Sequence, residues 1–137
     1  MKTAKRYLPV LLMLLLAIQA GVADAQNKAL LWAPPTPKEL KMLPPYCYAR
    51  IGPADQATRN SWEQQMGKQI FLHLHHYCTG MNYMNRARLE MDTQRKNFYL
   101  QRASSELDYV IARWPPTYTL TAQAKKMKMQ ANMMIRK

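Results

Sequence analysis

The 137-residue sequence predicts an all-α protein, a set of helical hairpins preceded by a Pro-rich N-terminal arm. Three observations carry that expectation. Apolar residues recur at steps of three and four in three successive stretches, the spacing of one helix face. Prolines crowd the region before position 54 and return at Pro115-Pro116, so they flank the periodic stretches and do not interrupt them. No stretch of convincing length reads as a strand. Tyr46–Ile51 is the best strand candidate, and it is short and isolated.

Residues 1–25 read as a secretory signal peptide. Lys2, Lys5 and Arg6 form its basic start, Val10 to Ile18 is an unbroken apolar run, and Ala23-Asp24-Ala25 supplies small residues for cleavage before Gln26. The run is shorter than the roughly 20 residues that a membrane span needs. Residues 26–60 form the arm, in which one short helix is expected. Thr36 is its N-cap, Pro37 its first position and Glu39 the capping-box partner, with Pro44 ending it. Leu40, Leu43, Trp32 and Tyr46 are the arm's docking residues. Residues 61–137 form the helical domain. Ser61-x-x-Gln64 opens a helix that runs to about Leu89, with Gly67 as an expected interruption. Its stripe is Ile70, Leu74, Tyr77, Met81 and Met84, and Gly80 within it permits close approach of another backbone. Asp92-Thr93 starts the next helix, expected from Gln94 to Arg113 with Tyr99, Ala103, Leu107, Val110 and Trp114 inward. Pro115-Pro116 stops it. Thr119 or Thr121 caps a last helix over roughly 122–136, with Ala124, Met127, Ala131 and Met134 on one face.

Composition narrows the compartment and the partners. The formal charge is +12; the signal takes three of the 20 basic residues and one of the eight acidic ones, which leaves +10 on 112 residues. That is enough chain for one modest core. In a cytosolic protein such a charge points to nucleic acid. Export turns the expectation to anionic lipid or glycan surfaces, with no nucleic acid. Lys125, Lys126, Lys128, Arg136 and Lys137 are the residues expected at such a surface. Both cysteines, Cys47 and Cys78, lie after the signal. An even count in an exported chain predicts a disulfide, worth roughly 3 kcal/mol in the chain-entropy model.

Chemistry-bearing residues are few. His73, His75, His76 and Cys78 form the densest cluster, and imidazole suits zinc or copper. His73 and His76 share a helix face while His75 points away, and a disulfide-bonded Cys78 is no ligand. A metal-binding alternative therefore rests on His73 and His76, with Met81 or Met84 as possible additions. Met127-x-Met129 and Met133-Met134 offer thioethers for copper, yet Met127 and Met129 face different directions, and methionine commonly fills cores. No cofactor is expected, and the lack of Cys-x-x-Cys-His excludes covalent haem. Glu106 and Asp108 are two apart on a helix and face apart, and the chain has no nucleophile elbow, phosphate loop or His-Glu-x-x-His, so no catalysis is expected.

Ala103, Leu107, Val110 and Pro115 are spaced like the second helix and closing proline of a repeat unit, and Gly80 and Tyr83 like the small residue and aromatic of its first helix. In this the segment from about 69 to 135 resembles a tetratricopeptide repeat, with a linking segment about 11 residues longer than the standard 34-residue unit allows. The segments Leu43–Cys47 and His75–Asn82 also resemble those of small exported bacterial proteins with repeat-like tails. The repeat resemblance implies a protein-interaction module, which the signal peptide places at the cell envelope, periplasmic or secreted, and for which no catalysis is expected. It implies peptide binding through a polar ridge of Asn82, Asn85, Arg86 and Arg88 beside Tyr83.

Overall fold

The computed structural model describes residues 33–135, and these hold six helices and no strand. The signal peptide, Trp32, Arg136 and Lys137 lie outside the described residues. α1 (Pro37–Leu40) starts where the sequence placed it: the Thr36 hydroxyl accepts from the Glu39 N–H, and the Glu39 carboxylate accepts from the Thr36 N–H at 2.7 Å. α2 (Pro45–Ile51) replaces the strand candidate. Pro45 supplies a helical φ at the first position, and Pro44 O accepts from both Cys47 and Tyr48 N–H groups. An isolated strand would leave those groups without partners.

α3 (Gln56–Met66) begins five residues before Ser61. Asp55 is its cap, accepting from the Thr58 N–H at 2.7 Å, and the Ser61 hydroxyl instead accepts from the Gln65 side chain. Asp caps as well as Ser does, and it comes first in the chain. The arm therefore carries more helix than expected, and α3 runs across the boundary drawn at 60/61. Gly67 interrupts as predicted. Its φ of +87° places it in the left-handed region that favours glycine, and the chain turns there from α3 into α4 (Lys68–Leu89).

α4 and α5 (Thr93–Ile111) are joined by only three residues and make the most extensive contact in the molecule. Asp92 caps α5 by accepting from the Arg95 N–H. Gly80 sets the distance between the helices: a Cβ there would stand 2.9 Å from Leu107 Cγ and 3.4 Å from the Ala103 carbonyl. α6 (Thr119–Met134) starts three residues earlier than expected, capped at Tyr118. Thr121 lies in its first turn and donates its hydroxyl to Pro115 O, which satisfies a buried polar group and ties α6 to the prolines that end α5.

The residues from Pro35 on form one unit with two apolar clusters. The larger gathers Leu40, Leu43, Leu74, Tyr77, Leu107, Val110 and Trp114 around the Cys47–Cys78 disulfide, which joins α2 to α4 as predicted. The smaller holds Met84, Ala87, Leu100, Ala103 and Ala131. Fully buried Leu74 and Leu107 each contribute about 1.5–3 kcal/mol. Among the described residues no helix is long and apolar enough to cross a membrane.

Candidate functional site

Two surfaces collect the residues that the sequence singled out. The first is the histidine face of α4. His76 and Tyr109 stack with ring centroids 3.6 Å apart, and the Arg113 guanidinium lies 3.5 Å from the Tyr109 centroid. Neither group leaves room for the other on one side of the ring, so they sandwich it. His75 lies 4.2 Å beyond His76, and His73 meets Tyr109 edge-on at 5.6 Å. The column is anchored at its middle: His76 Nδ1–H donates to Glu106 at 2.6 Å, and Glu106 also accepts from Arg102 at 2.7 Å. Burial lowers the pKa values of His73 and His75, and neighbouring cationic groups lower them further. Both are therefore neutral near pH 7.

This geometry uses the histidines as packing and hydrogen-bonding groups between α4 and α5. His73 and His76 do share a face, but the Nδ1 of His76 is taken by Glu106, and Cys78 is in the disulfide. Among the described residues no three His, Cys, Asp or Glu side chains are grouped to hold a metal. Tyr109, Glu106 and Arg50, whose Nη2 lies 3.3 Å from His75 Nδ1, were missed as members of this cluster. The i, i+4 pairs Arg102–Glu106 and Tyr109–Arg113 were the only sequence signal for them.

The predicted polar ridge does not stand together at the surface. Asn82 is 3% exposed. Arg86 forms a two-pronged ion pair with Glu39, 2.6 Å from Nε to Oε1 and 3.1 Å from Nη2 to Oε2, and so clasps α1 to α4. Arg88 donates to Asn85 on its own helix. Arg86 therefore holds the fold together, a task the chain-local pattern could not reveal because its partner is 47 residues away.

The second surface lies along α6. A groove of about 470 Å3 is lined by Ile111 of α5 and by Lys125, Lys128, Met129, Asn132 and Met133 of α6. Met129 and Met133 are 57% and 73% exposed. Met127 and Met134 turn inward onto the two separate apolar clusters, so the four methionines form no common thioether site. Lys125 and Lys126 are exposed, while Lys128 donates to Asp108 at 2.6 Å. No family model matches the chain, and comparisons with curated proteins and with solved structures find no match.

Proposed function

We propose that the chain is an exported, non-catalytic protein-interaction module of the cell envelope, a tetratricopeptide-like helical hairpin whose last helix carries the contact surface. One observation carries this reading: α6 exposes Met129 and Met133 beside Lys125 and Lys128 over an apolar groove. Thioether side chains are flexible and polarizable and adapt to varied apolar partners. Lysines at a groove rim draw acidic partners and set their register. An acidic amphipathic segment has the complementary chemistry. The close seat of Gly80 against Leu107 and Ala103 supports the repeat resemblance, because that repeat uses small residues where its paired helices approach.

A photo-crosslinking side chain at Met133 of the full, natively exported chain tests this. A discrete protein adduct is expected, and Lys125→Glu with Lys126→Glu should abolish it, while the same probe at exposed Gln101 gives none. No adduct at Met133 would overturn the reading. The exposed Lys125 and Lys126 favour a second reading, a binder of anionic envelope surfaces. That reading requires retention on anionic vesicles that collapses as salt rises.

A further inference from the structure

A separate recess of about 290 Å3 lies where α2, α3 and the start of α4 meet. Arg50 comes from α2, Arg59 and Glu63 from α3, and Lys68 from the first position of α4, while Phe71 and half-exposed Leu72 supply the apolar wall. Three cations thus face one carboxylate.

The two arginines are held in an unusual way. Arg50 Nε donates to Phe71 O at 2.9 Å and its Nη2 to Leu72 O at 3.0 Å, with His75 Nδ1 3.3 Å from the same Nη2. Arg59 Nε donates to Ala54 O and its Nη2 to Gly52 O, both at 3.2 Å. Backbone carbonyls fix the two guanidinium planes without neutralising either charge, and among the described residues neither arginine has a carboxylate in an ion pair. Nη1 of each has no acceptor among the described residues. The positive charges work against one another: burial lowers the Arg50 pKa, Arg59 lowers it further, and Glu63 opposes both. The start of α4 adds to the same field. Its N-cap is Gly67, which has no side chain to accept from the first-turn N–H groups.

We propose that this recess binds an oxyanion, a phosphate or carboxylate head group, carried on a short apolar body. The Nη1 N–H groups of both guanidiniums remain to donate to the oxygens of such a head, and their positions are set before the ligand arrives. The apolar body would cover half-exposed Leu72 beside the edge of buried Phe71 and remove the Leu72 surface from water. An anion in the recess also relieves the like-charge repulsion between Arg50 and Arg59. The inference is independent of the α6 surface, which shares no residue with it.

Isothermal titration of the full, disulfide-intact chain at low salt tests it, with hexyl phosphate, hexanoate, inorganic phosphate and hexanol as probes. Hexyl phosphate or hexanoate should bind saturably at one site, inorganic phosphate about tenfold more weakly and hexanol not at all. Lys68 is exposed, so Lys68→Glu keeps the carbonyl-anchored arginines in place, and it should weaken binding by about tenfold. Lys38→Glu makes the same change of net charge at an exposed position of α1 and should leave binding unchanged. Competition by phosphatidylglycerol vesicles would assign the head group to a lipid, and the absence of competition to a free amphiphile. Either result supports an oxyanion site. No saturable binding of either anionic probe, or an equal loss in the two variants, would overturn the proposal.

Discussion

Glu39→Gln removes one charge from the clasp between α1 and α4 while leaving the local helix start intact, since Gln serves at the third position of a capping box as Glu does. The side chains of Arg86 and Glu39 are 11% and 21% exposed, so the pair is shielded but not sealed from water. The Arg86 hydrogen bonds are the largest influence on the Glu39 carboxyl; with help from Thr36 and against the effect of burial, they lower its pKa from 4.5 to about 2. Discounted for the solvent that reaches Glu39, the shift corresponds to about 2 kcal/mol. The folded pKa lies below the unfolded one, so this stability is complete above the ordinary carboxylate range and is lost as pH falls through about 2. Urea denaturation of both proteins, followed by circular dichroism with the disulfide intact, measures the difference across pH. The gap should be about 2 kcal/mol at pH 7, narrow below about pH 5 and close near pH 2. A double-mutant cycle with Arg86→Gln should return a coupling of about 1–2 kcal/mol. A gap that is flat with pH, or a coupling near zero, would refute the view that this ion pair holds the arm to the helices.

Two further substitutions test the core. Replacing Cys47 and Cys78 together by Ala opens a loop of 31-residue separation. In the chain-entropy model this costs about 3–4 kcal/mol, which thermal unfolding would read as a fall in Tm; an unchanged Tm would show that α2 is held by its packing alone. Gly80→Ala gains about 1 kcal/mol of helix propensity but sets its Cβ 2.9 Å from the branch carbon of buried Leu107. Overpacking of about 1–3 kcal/mol outweighs the gain. A net loss of about 1 kcal/mol is expected, and Gly80→Ala should cost less when measured in a Leu107→Ala background, which is itself destabilised; a stabilised Gly80→Ala would mean that α5 moves away at little cost.

Helix interiors were legible in the chain because they follow from periodicity that each residue carries with it. The stripe of Ile70, Leu74, Tyr77 and Met84 and the stripe of Ala103, Leu107 and Val110 are buried as expected, and Leu40 and Leu43 dock as the arm's apolar residues. Errors fell at helix starts. Asp55 and Ser61 both carry side-chain oxygens suited to capping, and Tyr118, Thr119 and Thr121 compete within one turn, so local chemistry alone chose among near-equal options. Tyr46–Ile51 was misread because a six-residue apolar segment has no length to separate helix from strand.

The candidate surfaces divide in a similar way. The Lys and Met residues of α6 were visible as a basic, methionine-rich segment, since composition and spacing along one helix place them. The fate of His76, Asn82 and Arg86 was not visible, because Glu106, the core and Glu39 reach them across 30 residues or more or from other elements. What the chain determined by itself is its helical class, the Thr36 and Asp92 caps, the Gly67 break and the pairing of its two cysteines. Each depends on a few neighbouring residues or, for the disulfide, on there being only one way to pair. What only the tertiary structure decided is which polar side chains became internal ties and which cations were left facing a recess. Those outcomes depend on long-range contacts, whose distances are set when Gly80 lets α5 close onto α4 and the disulfide draws α2 against it.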